Sequence, residues 1–370
     1  MPQSSVFADE LGPAKIIQVC EPSLGLNATL VVDNVARGPA IGGMRIASDV
    51  TTEECLRLAR AMTLKNAASG LAHGGGKSVL VGDPHMPRTQ KEQLIRAFAY
   101  ALRHEHDYIF GPDMGTDETC MAWVHDEIGR AVGLPPELGG IPLDVIGATG
   151  WGLRYAAQVA ARHCKFELAG ARVAVQGFGA VGKHAARFLA EQGARLVAVS
   201  DTHGTLTLEE GIDIPALVQL KDQGKSVLDY PGGKKNGMDA IIDVPCDIWI
   251  PAARPDVINE GNVARLNTRL VLQGANIACT EGAVRALHER AVIVVPDFIA
   301  NAGGVICGAM EYRGSTQQAV FAAIAEKISA NTAEVLRLAG DRGVTPREAA
   351  TQLASQRVRQ AMAIRRFGVF

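Results

Sequence analysis

Three observations predict an α/β fold in two domains, the second a doubly wound parallel sheet. The chain has 370 residues, more than one ordinary core requires. Short apolar runs alternate with helical stretches through its second half. The run Gly177-Phe178-Gly179-Ala180-Val181-Gly182 stands between a strand-like segment, Ala171 to Gln176, and a helical one, Lys183 to Gln192. In that setting the first glycine permits a tight turn, the second lets backbone approach a pyrophosphate, and the third lets helix pack on strand. The expectation for residues 146–315 is therefore a Rossmann-type dinucleotide-binding domain.

A second strand, Arg195 to Ser200, ends at Asp201, where an acid can accept both ribose hydroxyls and repel a 2′-phosphate. NAD is expected over NADP. Further strands are expected at Ala240 to Val244, Ile248 to Pro251, Leu270 to Leu272 and Val292 to Val295. The loops that follow them carry Ala252, Ala253, Asn276 and Asn301, at the edge where such sheets hold ligands. Residues 1–145 mix strands (Ala14 to Val19, Ala28 to Val32, Ser78 to Val81) with amphipathic helices such as Thr52 to Ala68, and form the expected α/β substrate domain. The tail, residues 316–370, is helical in pattern with a break at Gly340 to Pro346.

Composition excludes several classes of function. Basic and acidic residues nearly cancel, 37 against 39, without a basic run, so no nucleic acid partner is expected. Met1 to Glu10 shows no basic then apolar leader, and no stretch approaches eighteen uninterrupted apolar residues, so a soluble, cytoplasmic protein without membrane contact is expected. The seven cysteines are scattered and lack CxxC pairs, which indicates neither a disulfide framework nor a metal site.

The chemistry centres on Lys77, which closes the run Gly74-Gly75-Gly76-Lys77. A lysine works at neutral pH when its pKa falls from about 10.4 toward roughly 7 to 8, through desolvation or a neighbouring cation. The glycines permit close burial, and Lys65 could supply the charge.

Eight ordered motifs then resemble the glutamate, leucine, phenylalanine and valine dehydrogenase family. They are Gly38 to Arg45, Met62 to Ala67, Gly74 to Lys77, Gly111 to Thr116, Ala148 to Gly150, the Gly177 to Gly182 loop, Gly274 to Asn276 and Asn301 to Val305. The resemblance implies reversible oxidative deamination of an L-amino acid to its 2-oxo acid, with ammonia released and NAD(P) as hydride acceptor. It implies Lys77 and Asp113 as catalytic residues, Lys77 acting on water and Asp113 moving protons at the amino nitrogen. Lys65 would meet the substrate α-carboxylate, and Gly42, Gly43, Asn301 and Val305 would lie against the substrate. Thr149 would touch the nicotinamide carboxamide, and Asn276 the nicotinamide end. The tail would pack back on the first domain, and a homo-oligomer is the usual state of such enzymes. A non-catalytic dinucleotide sensor would be expected to have lost Lys65, Lys77 or Asp113, and all three are present.

Two positions bear on the side-chain pocket. Glutamate-specific members carry a lysine and a serine where this chain has Ile41 and Gly308. Burying an unpaired carboxylate costs several kcal/mol, so an apolar substrate of the leucine, valine, phenylalanine or tryptophan type is expected, with glutamate the alternative. Gly111 and Gly308 are expected to leave volume for something larger than valine. His73, beside the glycines, has no role assigned and is read as structural.

Overall fold

The structure is a computed structural model that describes residues 8–365. The first seven residues and residues 366–370 of the expected tail lie outside that range. The chain divides into two compact units. One runs to Pro142 and takes in Val305–Val320 and the stretch from Thr351; the other comprises Leu143–Gly304 and Phe321–Ala350. The tail, expected to join the first unit whole, is thus shared between both.

The first unit is built on β1 (Lys15–Glu21), β2 (Leu26–Asn34), β3 (Ala40–Ala47), α1 (Thr52–Ala68), β4 (Gly74–Val81), α2 (Arg88–Ala101), β5 (Tyr108–Pro112) and α3 (Glu118–Ile128). Its five strands run in the order β1-β2-β4-β3-β5, with β3 parallel to both β4 and β5. Helix α1 starts where Thr51 caps the N–H of Glu54. Leu30, Val32, Met44, Ile46 and Leu80 pack with Phe98 and Phe110 in the larger core, while Val31 and Val79 pack under Cys55, Leu56 and Ala59 of α1.

The glycine run extends the strand expected at Ser78 to Val81 and forms the first half of β4. A β-carbon on Gly75 would fall 1.9 Å from the Thr63 nitrogen of α1, and one on Gly74 would fall 1.8 Å from the Asn34 carbonyl oxygen. The glycines are therefore required by how closely α1 and β2 approach the strand.

The second unit contains α4 (Leu143–Ile146), α5 (Ala148–His163), β6 (Arg172–Gln176), α6 (Ala180–Ala190), β7 (Arg195–Ser200), β8 (Thr205–Thr207), α7 (Ile214–Asp222), β9 (Lys234–Asn236), β10 (Ile248–Pro251), β11 (Leu270–Leu272), α8 (Glu281–Glu289), β12 (Ile293–Val295) and α9 (Asp297–Ala300). Helices α10 (Gly303–Glu311), α11 (Gln317–Arg342) and α12 (Pro346–Ile364) complete the chain. The sheet order is β12-β11-β10-β6-β7-β8-β9, with β12 through β7 parallel and the last two strands antiparallel. This is the doubly wound Rossmann-type sheet that the sequence predicts.

One expected strand is absent. Residues 240–243 lie instead in a 3₁₀ turn, Met238–Asp243, which buries Ile241 and Ile242 while the Ile241 carbonyl accepts from the Trp249 indole at 3.2 Å, and Val244 caps it in extended conformation. A short apolar run buries equally well in either form, so periodicity alone does not separate them. Among the described residues no helix is long and apolar enough to cross a membrane.

Candidate active site

Parallel pairing of β3 with β4 and β5 puts Ile41 opposite Gly75 and Ile109, and Gly43 opposite Gly111. Side chains alternate along a strand, so Ile41, Gly43, Arg45, Gly75, Lys77 and Gly111 share the face on which α1 lies. Lys77 is 5% exposed and its amine is paired with Asp113. The same carboxylate oxygen, Oδ2, accepts from Arg45 Nε at 3.0 Å, and Arg45 in turn donates to Glu54 Oε1 at 2.6 Å. A chain of alternating charge results: Glu54, Arg45, Asp113, Lys77. Burial opposes ionisation of Asp113, but Lys77 and Arg45 outweigh it and hold the carboxyl below its ordinary range.

The backbone beside this cluster leaves no room for side chains. A β-carbon on Gly43 would stand 2.7 Å from Asp113 Cβ and 3.1 Å from Lys77 Nζ, and one on Gly42 would fall 1.8 Å from the Gly76 carbonyl oxygen. Thr116 fixes the Asp113 turn, its hydroxyl accepting from the Asp113 N–H at 2.9 Å and donating to the Met44 carbonyl at 2.8 Å. Lys65 sits half-buried in the last turn of α1. Asn66, next to it, donates to the carbonyls of Ile41 and Gly74, tying the helix to both strands. His73 is buried, bonded to the Pro39 carbonyl at 3.0 Å and set edge-on to Tyr312.

The surroundings of Gly111 and Gly308 differ from expectation in one respect. A β-carbon on Gly111 would lie 3.5 Å from Val132 Cγ2, and one on Gly308 only 3.3 Å from the same methyl. Val132, in the loop after α3, therefore occupies space that the two glycines were expected to leave. Glu311 holds that loop: its buried carboxylate accepts from the N–H groups of Gly133 at 2.7 Å, Leu134 at 3.0 Å and Ile141 at 2.9 Å. Val305 lies one turn before Gly308 on α10.

Arg45, Val132 and Glu311 were not picked out from sequence. Arg45 carried a signal, since it continues the alternation from Ile41 and Gly43. Glu311 was the only acid in an otherwise apolar helix. Val132 carried none.

In the second unit the glycine loop fits a dinucleotide. Gly177 has φ +91°, a conformation that suits glycine, and a β-carbon there would meet Ala253 Cβ at 2.7 Å. Gly182 is pressed to the Gly177 carbonyl, whereas a β-carbon on Gly179, the cap of α6, would meet nothing within 4 Å. The helix end is thus open above Gly179, with Phe178 buried below. Ala180 and Val181 open α6, Val181 reaching toward Gly274. Asn301 donates to the Gly274 carbonyl at 3.2 Å and to Asn276 Oδ1 at 2.9 Å, while Gly303 is pressed against Ala148 and Thr149. Buried side-chain atoms of Gln176 and Gln273 at the ends of β6 and β11, and of Asn301 at the end of α9, have no hydrogen-bond partner among the described residues, as expected where a polar ligand or water completes them.

Asp201, at the end of β7, has four partners within the chain. Oδ2 accepts from Lys221 Nζ and from the Val227 N–H, both at 2.9 Å. Oδ1 accepts from the His203 N–H at 2.9 Å and from Ser226 Oγ at 3.1 Å. Burial opposes its ionisation, but Lys221 and the two N–H groups prevail and hold its pKa at about 2. The carboxylate is thus paired within the chain.

A family model described as Glutamate/Leucine/Phenylalanine/Valine dehydrogenase matches residues 139–366, and one described as Glu/Leu/Phe/Val dehydrogenase, dimerisation domain, matches residues 16–130. A curated relative, the NADP(+)-dependent glutamate dehydrogenase of Pyrobaculum calidifontis, is 36% identical over 95% of this chain and 91% of its own length. Among solved structures, the hetero-hexameric glutamate dehydrogenase of Thermus thermophilus in its Leu-bound form superposes with a TM-score of 0.83 at 26% identity, covering 97% of this chain and 91% of that one. The L-tryptophan dehydrogenase of Nostoc punctiforme, at TM-score 0.75 and 24% identity over 95% of this chain and 97% of that one, shares the fold. With both halves of the chain matched, and a relative aligned along nearly all of it, this protein belongs to the glutamate/leucine/phenylalanine/valine dehydrogenase family, the amino acid dehydrogenases.

Proposed function

We propose that this enzyme oxidatively deaminates an L-amino acid with an apolar side chain. In the forward direction, amino acid, water and oxidised dinucleotide give 2-oxo acid, ammonia, reduced dinucleotide and a proton. The observation that carries the substrate reading is Ile41, an aliphatic side chain 4% exposed on the same sheet face as Lys77, at the position where the resemblance to the family implies a lysine in glutamate-specific members. A side-chain carboxylate held there would be buried without that cation. A second reading, L-glutamate, is favoured by the names of the curated relatives, glutamate dehydrogenases at 36% identity.

A nicotinamide dinucleotide, when bound, supplies the hydride acceptor. The residues that would hold it are Gly177, Gly179 and Gly182 at the pyrophosphate, and Thr149, Asn276 and Asn301 at the nicotinamide end. Lys65 would hold the α-carboxylate as a point charge. Asp113, kept ionised by Lys77 and Arg45, takes a proton from the substrate nitrogen, and Lys77 handles the water that displaces ammonia. NAD remains the expected dinucleotide, yet Lys221 beside Asp201 removes much of the repulsion on which that preference rests. NADP is the second reading, favoured by that ion pair and by the NADP(+)-dependent relative.

The test is steady-state oxidation of L-leucine, L-valine, L-phenylalanine, L-tryptophan and L-glutamate with each dinucleotide. Apolar substrates should exceed glutamate in kcat/KM by roughly 10²-fold or more. A preference for glutamate defeats the pocket reading, and Ile41→Lys with Gly308→Ser should then bring no gain.

A further inference from the structure

Among the described residues four other than glycine have left-handed backbone: Lys165 (φ 57°), Asp256 (φ 54°), Ile277 (φ 51°) and Ala291 (φ 58°). Lys165 and Ala291 follow the last turns of α5 and α8, where that conformation is an ordinary way to end a helix. Asp256 and Ile277 have no such reason. They lie in the loops leaving β10 and β11, and the Asp256 N–H donates to the Ile277 carbonyl at 2.8 Å. Left-handed backbone is most costly for a β-branched residue. Ile277 is 47% exposed, so burial of its side chain does not impose the conformation.

Its hydrogen bonds do. The Ile277 N–H donates to Asp297 Oδ2 at 2.7 Å, and the other oxygen of Asp297 accepts from Arg347 at 2.9 Å. Asp297 is 5% exposed, and the Arg347 guanidinium lies 5.6 Å from the centre of the Phe298 ring. Asp256 is secured in turn, its carbonyl accepting from Asn259 at 3.1 Å. Between Gly274 and the strained residue stands Asn276, bonded to Asn301 at 2.9 Å.

We propose that Asp297, braced by Arg347, is a positioning residue for the dinucleotide: it holds Ile277 left-handed and thereby fixes Asn276 at the carboxyl edge of the sheet. The claim rests on the reading of Asn276 as a dinucleotide contact. Strain at such a position persists only where surrounding groups over-determine it, and it gathers at ligand-holding turns. Without the Asp297 acceptor, Ile277 relaxes and carries Asn276 with it. Glycine at 277 takes the same conformation freely, so the turn then survives loss of the acceptor.

NADH and NADPH titrations of the purified full chain, followed by nucleotide fluorescence, test this. Asp297→Ala should raise the NADH dissociation constant about tenfold, the factor that release of such strain corresponds to. Combined with Ile277→Gly, the same change should cost less than about threefold against Ile277→Gly alone. Ile277→Pro, which forbids the left-handed φ and removes the N–H at a half-exposed site, should also weaken binding about tenfold and serves if Asp297→Ala does not fold. Equal losses for Asp297→Ala in the two backgrounds, or unchanged binding in Ile277→Pro, overturn the proposal. Asn276→Ala separates the two claims: if it leaves binding unchanged while Ile277→Pro weakens it, the turn is positioned for the dinucleotide through another group.

Discussion

Asp113 is the residue on which the site's electrostatics converge, because one of its oxygens receives both Lys77 and Arg45. Lys77→Ala should lose at least about a hundredfold in turnover while dinucleotide affinity stays unchanged, as removal of a general acid or base does. A variant with near parental turnover would reject the role. Lys65→Ala should act on substrate binding, read as a raised KM. Arg45 carries the pH prediction. Its charge helps hold the Asp113 carboxyl below the ordinary range against burial, so removing it lets that pKa rise. The ionised base is then lost at a higher pH on descending, and the acid limb of kcat/KM for Arg45→Gln should move upward, with Arg45→Lys restoring most of the shift. An acid limb that stays in place, with activity lowered equally at all pH, would make Arg45 a packing residue.

Elements place these residues through two devices, strand alternation and buried carboxylates that clamp loops. Glu311 is the clamp behind the pocket loop, and with three N–H groups on one carboxylate its loss should lower the melting temperature more than a surface change does. Val132→Ala, in the clamped loop, removes the methyls facing Gly111 and Gly308 and should raise kcat/KM for L-phenylalanine or L-tryptophan relative to L-valine. An unchanged ratio would place the end of the pocket elsewhere. Asp201 ties the end of β7 to α7 and the turn at Val227. Its pKa in the folded chain is about 2 against an ordinary 3.8, so its contribution to stability is complete above the ordinary carboxylate range and fades as pH falls toward 2. Asp201→Asn should therefore destabilise most at neutral pH, with the gap in melting temperature closing below about pH 4.

For the molecule as a whole, burial pushes the thiols of Cys55, Cys120, Cys246, Cys279 and Cys307 up to about 12. All five should stay silent to a thiol reagent at neutral pH and react on denaturation; early reaction of any one would show an opening of the core around it. The match of residues 16–130 to a dimerisation domain, and the hetero-hexameric relative, support an oligomer. Light scattering should give a mass that is a multiple of 39.1 kDa, and a monomer would refute it.

Sequence by itself determined the features that local chemistry dictates. The Gly177 to Gly182 loop between strand and helix could be read because each glycine answers a separate steric demand. The break in the tail was legible for the same reason: Thr345 and Glu348 cap each other across Pro346, and α12 starts there. Lys77 and Asp113 were legible as chemistry-bearing residues within motifs. Tertiary structure alone decided what those groups meet. That Gly74 to Gly76 form strand depends on Asn34 and Thr63, distant neighbours whose approach no local pattern encodes. That Asp201 is paired depends on Lys221 and Val227 returning to it from an element twenty or more residues later, and that Val132 stands before Gly308 depends on Glu311. A residue's type announces the interaction it is able to make, but its partner is chosen by the packing of segments far apart in the chain, where pairwise geometry, not composition, sets the energy.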